Sequence, residues 1–174
     1  MNASIHVSSI IGNINKDSML RARYEEMLKQ GLCETVKVNR LESERVRMRK
    51  ATNKGGDVII TLSQGSRLRH GDVIHLSDDR MIVVELEEED LAMIKIRDDT
   101  PLDHAVEIAF RIGHTIGNLH RPIKVEDRSV YFPIQADTEM EMIKRLLNPI
   151  LGHLVIEKTR MVFEPEEGVE VHEH

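Results

Sequence analysis

From residue 91 to residue 163 the hydrophobic period switches in a set order, and that order leaves few architectures open. LAMIKIR (91–97) alternates apolar and polar side chains, as a half-buried strand does. Leu102, Val106, Ala109, Gly113 and Ile116 then recur at helical spacing through residue 118. KVEDRSVYFPI (124–134) reads as two short strands around an Asp127-Arg128 turn. DTEMEMIKRLLN (137–148) is a second helix, capped by Asp137 or Thr138 and stopped before Pro149. HLVIEKTRMVF (153–163) closes the series as a strand. The sum is β-α-β-β-α-β, the split pattern of ferredoxin-like domains.

The preceding residues follow another logic. Residues 5–14 form an apolar, strand-like entry. DSMLRARYEEMLKQ (17–30) is a helix with Asp17 or Ser18 at its start, Leu20, Tyr24, Met27 and Leu28 on one face, and Gly31 at its end. Short strand signals follow at 36–41, 44–50, 57–62, 69–76 and 80–87, separated by Gly-Gly, Gly-Asp and Asp-Asp turns. Asp98-Asp99-Thr100-Pro101 marks the boundary, because the residue before proline avoids helical geometry and proline suits a helix start. The expected fold class is α+β. A small β-rich domain (1–97) precedes a ferredoxin-like domain (98–164) and a histidine-bearing tail (165–174). The acidic run Glu87-Glu88-Glu89-Asp90 reads as a solvated loop, since it lacks the glycine turn and spaced ligands of a calcium site.

Composition removes several functional classes. Aromatics are 3% and tryptophan is absent, so no stacking groove for nucleic acid is expected. Residues 1–80 hold 14 Lys and Arg against 10 Asp and Glu, too mild an excess for a DNA-binding face. Residues 81–174 hold 10 against 20 and carry six of the nine histidines, a composition suited to a divalent cation. No apolar run reaches the roughly 18 residues of a membrane span, and the N-terminus lacks the basic flank of a secretory signal. The expectation is a soluble cytoplasmic protein with no membrane or nucleic-acid partner. One cysteine, Cys33, allows neither an internal disulfide nor a thiolate cluster. P-loop, GxSxG, HExxH and CxxC motifs are all missing, so no catalytic residue is assigned and an enzyme is not expected.

The histidines are the chemistry that remains. In GHTIGNLHRP (113–122), Gly117 and Asn118 are natural left-handed residues for ending the helix. They do not account for His120, which reads either as a surface residue or as a metal ligand on a chain that has left the helix. His172 and His174 form an H-x-H pair that points to one side if extended. His114 reads as a half-buried helix residue near Glu107. His104, His70 and His75 read as surface residues, and His6 and His153 as strand-edge ones. A hydrolase built on His120 and Glu107 lacks a second-metal cluster and a placed general base.

The stretch Ile116-Gly117-Asn118-Leu119-His120-Arg121-Pro122, set after an amphipathic helix, resembles the UreE urease accessory protein family of nickel metallochaperones. The layout supports the resemblance: GDVIHL (71–76), RMIVVEL (80–86), then β-α-β-β-α-β and a His-bearing tail. The resemblance implies that His120 is the central Ni2+ ligand and that two copies of it meet across the two-fold axis of a homodimer. His172 and His174 would help complete the coordination, with Gly117, Asn118 and His114 in support. Zn2+ or Cu2+ would bind in vitro, because intrinsic affinities do not favour nickel. The implied partners are apo-urease and the urease accessory GTPase complex, with the N-terminal domain as a peptide-binding module. The alternative is a metal-independent assembly factor that binds peptide segments of urease or its accessory proteins. The chain departs from the family pattern at Leu119, where arginine is common, and at Ile134 and Gln135, where further surface histidines are usual. The helix at 17–30 reads as an insertion.

Overall fold

The computed structural model describes residues 4–165. All but the first residue of the expected tail (165–174), with His172 and His174, lies outside that range. The chain divides into two compact units between Glu87 and Glu88.

The first unit holds strands β1 (Ile5–Val7), β2 (Gly12–Asn13), β3 (Cys33–Val38), β4 (Arg47–Ala51), β5 (Asp57–Thr61), β6 (Asp72–Leu76) and β7 (Met81–Leu86), with helices α1 (Ser18–Lys29) and α2 (Arg40–Ser43). One sheet has the order β1-β5-β4 and the other β2-β6-β7-β3. The β1–β5 and β3–β7 pairs are parallel and the rest antiparallel. Helix α1 starts where expected, because the Asp17 carboxylate accepts the Met19 and Leu20 N–H groups at 2.8 and 3.1 Å. It buries Met27 against Cys33, Val73, Met81 and Val83, with Leu20 and Tyr24 alongside. Leu28, assigned to that face in the sequence, is exposed instead. The strand expected at 36–41 lies earlier. Asn39 opens α2 through a capping box with Glu42, at 2.9 and 3.1 Å, and so stops the strand at Val38.

The second unit comprises β8 (Glu88–Ile96), α3 (Leu102–Asn118), β9 (Lys124–Glu126), β10 (Ser129–Pro133), α4 (Thr138–Leu146), a 3-10 helix (Asn148–His153) and β11 (Leu154–Val162). Its sheet order is β11-β8-β10-β9, fully antiparallel, which is the ferredoxin-like arrangement read from the sequence. The sequence boundary at 97/98 moves to Glu87/Glu88, because β8 is an inner strand of this second sheet and pairs with both β10 and β11. The acidic run is likewise no loop. Glu88 to Asp90 are the first residues of β8, and Asp90 takes ion pairs from Lys158 (2.9 Å) and Arg160 (3.1 Å) on β11. Cross-strand pairing of opposite charges stabilises the ladder where like charges alone would not.

One face of this sheet carries α3 and α4. Ala105, Ile108, Ile112 and Ile116 from α3 and Met140 and Ile143 from α4 cover Ile94, Val130 and Phe132. Helix α4 is not capped by Asp137 or Thr138. Glu139 reaches back instead, and its Oε1 accepts the Gln135 and Ala136 N–H groups at 2.7 and 3.2 Å. No helix among the described residues is long and apolar enough to cross a membrane.

Candidate metal centre

Helix α3 runs through Gly117 and Asn118, so these residues do not terminate it. Leu119 N–H donates to the Ile116 carbonyl (2.9 Å) and His120 N–H to that of Gly117 (3.0 Å), a tightened last turn. The left-handed residue is His120 itself, with φ 50°. Non-glycine residues occupy that region rarely, although histidine tolerates it better than most. The strain turns the chain sharply off the helix and leaves His120 exposed. Its imidazole makes no hydrogen bond among the described residues.

Arg121, on the other side of the turn, holds the loop in place. Its guanidinium donates to the Pro133 carbonyl (3.2 Å) and to Glu139 Oε2 (2.6 Å). Both side chains of the ion pair are largely withdrawn from water, at 26% and 18% exposure. Glu139 thus ties three things together: the α4 start, the end of β10 and the residue after His120. Charge-assisted bonds of this kind are roughly twice as strong as neutral ones. The role of Arg121 is not legible in the sequence, since a partner 18 residues away leaves no local signal.

The supporting residues are placed differently from expectation. His114 is exposed, with its Nε2 3.2 Å from the Asn118 amide nitrogen, while Glu107 is taken by Arg111 at 2.8 Å. Asn118 therefore orients His114 rather than closing the helix. Gly117, with Gly113, keeps one flank of α3 low, and a Cβ added at either would meet nothing within 4 Å. This flank borders an apolar groove of about 410 Å³ lined by Ile94, Ile112, Ile116, Ile123 and Val130, with Arg121 beside it. The same side of α3 exposes Leu102 (78%), Val106 and Phe110 (75%).

Cys33 is not available as a ligand. It is buried, burial pushes its thiol up from the ordinary value, and its sulfur lies 3.6 Å from the Tyr24 carbonyl oxygen. Among the described residues no three His, Cys, Asp or Glu side chains come together as a metal cluster. One imidazole per chain stands at the His120 loop, and a single imidazole does not fill a metal's coordination sphere.

A β unit joined to a ferredoxin-like unit that presents a histidine from a strained, braced loop defines a class of two-domain α+β protein. Residues 7–87 match the N-terminal domain, and residues 89–174 the C-terminal domain, of the UreE urease accessory protein. The chain belongs to this family. It is 32% identical to the urease accessory protein UreE of Natronomonas pharaonis, over 84% of this chain and 64% of the relative. The UreE proteins of Yersinia aldovae and Yersinia intermedia are each 26% identical over 98% of this chain, which covers 80% and 81% of their lengths.

Proposed function

We propose that this protein carries Ni2+ for urease maturation as a cytoplasmic homodimer in which two copies of His120 share the ion. The observation that carries the reading is the pairing of an exposed, strained His120 with an apolar α3 flank that begins beside it. Burying that flank against a second copy would remove Leu102, Val106 and Phe110 from water, at about 25 cal/mol per Å² of apolar surface. An isologous interface repeats each contact, so a ligand near the axis is presented twice. His172 and His174 from the tail would add further nitrogen ligands.

The chemistry suits a carrier. Imidazole is a good ligand for Ni2+, whereas thiolates favour softer metals. Few protein ligands leave positions for water or a partner's ligand, so the metal can be passed on. Binding needs neutral imidazole, and acidification therefore releases the cargo. The partners in this reading are apo-urease and its accessory GTPase complex. The test is calorimetric Ni2+ titration with the oligomer mass recorded. The intact protein should take up one tight Ni2+ per dimer and His120→Ala should lose it. Unchanged affinity in His120→Ala would remove the ligand role and favour a metal-independent assembly factor.

A further inference from the structure

We propose that His104 and His153 form a second, exchangeable site for a first-row divalent metal, on the opposite flank of α3 from the apolar groove. The two imidazole rings stand 6.3 Å apart, centroid to centroid, in an edge-to-face arrangement with 73° between their planes. Two rings bound to one ion through nitrogens at about 2.1 Å have centres about 4.5–5 Å apart at tetrahedral or cis angles, so the observed pair stands slightly wide of a chelating separation. Both side chains are exposed, so rotation about their χ angles can turn one nitrogen of each ring onto a common ion.

The pair is assembled by the fold. His104 lies in the first turn of α3, anchored where the Ala105 N–H donates to the Pro101 carbonyl at 2.8 Å. His153 ends the 3-10 helix, and its carbonyl accepts the Arg97 N–H at 2.9 Å. Both are exposed, and neither imidazole makes a hydrogen bond among the described residues. An edge-to-face contact between exposed rings gains little from burial and leaves all four ring nitrogens for other use. The rings border a groove of about 240 Å³ above Ile108 and Ile150, with Glu107 and Arg111 on its rim.

Two carboxylates lie near the pair: Asp99 has both oxygens on Arg97, at 3.2 and 3.4 Å, and Glu107 keeps one oxygen outside its ion pair. Glu107 lies one turn after His104 on the same helix face. Arg111 bonds only its Oε1, at 2.8 and 3.0 Å, which leaves Oε2 outside the ion pair. Imidazole and carboxylate together suit Ni2+, Zn2+ or Cu2+. With two firm ligands and water in the remaining positions, the site exchanges its ion readily. It is also separate from the His120 loop: fourteen helical residues from 104 to 118 put about 20 Å between them. The inference therefore does not depend on the role assigned to His120.

The experiment uses the full chain carrying His120→Ala, His172→Ala and His174→Ala, titrated with Ni2+ by calorimetry and by NMR of the histidine rings. The expected result is one further Ni2+ per chain, with the His104 and His153 ring signals broadened before any other. Adding His104→Gln or His153→Gln should weaken that binding at least tenfold, and by similar factors. Ni2+ uptake unchanged by either substitution overturns the proposal. So does broadening of other rings, or no uptake at all by the triple variant. The ring signals are read in the triple variant itself, so the test survives a glutamine variant that fails to fold.

Discussion

A histidine at φ 50° holds a conformation that costs an L-residue about 1–2 kcal/mol. At His120 the backbone requirement and the proposed ligand role are separable, and substitution should divide them. His120→Gly should stay within about 0.5 kcal/mol of the parent, since relief of strain offsets the greater freedom of the unfolded chain. His120→Val should lose about 1–2 kcal/mol, because a β-branched residue fits this region poorly. Both should lose tight Ni2+ binding. Urea unfolding alongside Ni2+ titration checks the pair, and a parent-like valine variant would remove the strain argument. Arg121 acts one residue on. Arg121→Ala leaves Glu139 partly buried beside the empty place, so Ni2+ affinity should fall several-fold while His120 itself is intact. Glu139→Gln keeps the shape and loses the charge, and should give a smaller loss; equal affinity in all three proteins would show that the brace does not position the ligand.

At the scale of elements, β4 and β5 are linked by Arg49 and Asp57 through bonds of 2.8 and 2.9 Å. The Arg49 guanidinium first, and the Ser4 hydroxyl second, hold the Asp57 carboxyl down from 3.8 to about 2. A depressed folded-state value means the stabilisation is present above 3.8 and is lost as pH falls through about 2. Asp57→Asn should therefore flatten the acid-unfolding profile across that window, and an unaltered profile would show that the pair contributes nothing. The order of elements was legible in the sequence because period and turn residues are local signals: the alternation of LAMIKIR and the Pro101 break announced β8 and α3. What was missed depends on partners distant in sequence. Glu88 to Asp90 look like a loop until Lys158 and Arg160 are set opposite them. Asp137 looks like a cap until Glu139 takes that role and binds Arg121 as well. His120 was legible as a residue of interest from the helix before it and from the family resemblance. Its left-handed backbone was not, because Gly117 and Asn118 offered a more ordinary ending.

At the scale of the molecule, two units with separate cores should respond separately. Phe132 is 1% exposed within the second unit's core. Phe132→Ala should cost about 3–5 kcal/mol there. Hydrogen exchange should quicken at amides of β8, β10 and β11, while those of β3 and β7 around Met27, Cys33 and Met81 keep their protection. Equal loss of protection in both units would mean that they unfold together. The strand order also bears on how the protein is made. In the first unit β1 pairs with β5, Ile5 opposite Val58, and β3 pairs with β7, Cys33 opposite Met81. In the second, the closest partners across β8 and β11 are Ile96 and Leu154. Each of these strands emerges some fifty residues before its neighbour. At about 5–20 residues per second, a ribosome leaves each one waiting about 3–10 s with its edge unpaired. The nascent chain is thus an open β edge for longer than most small domains need to fold, and its yield in a cell should depend on what shields that edge during synthesis.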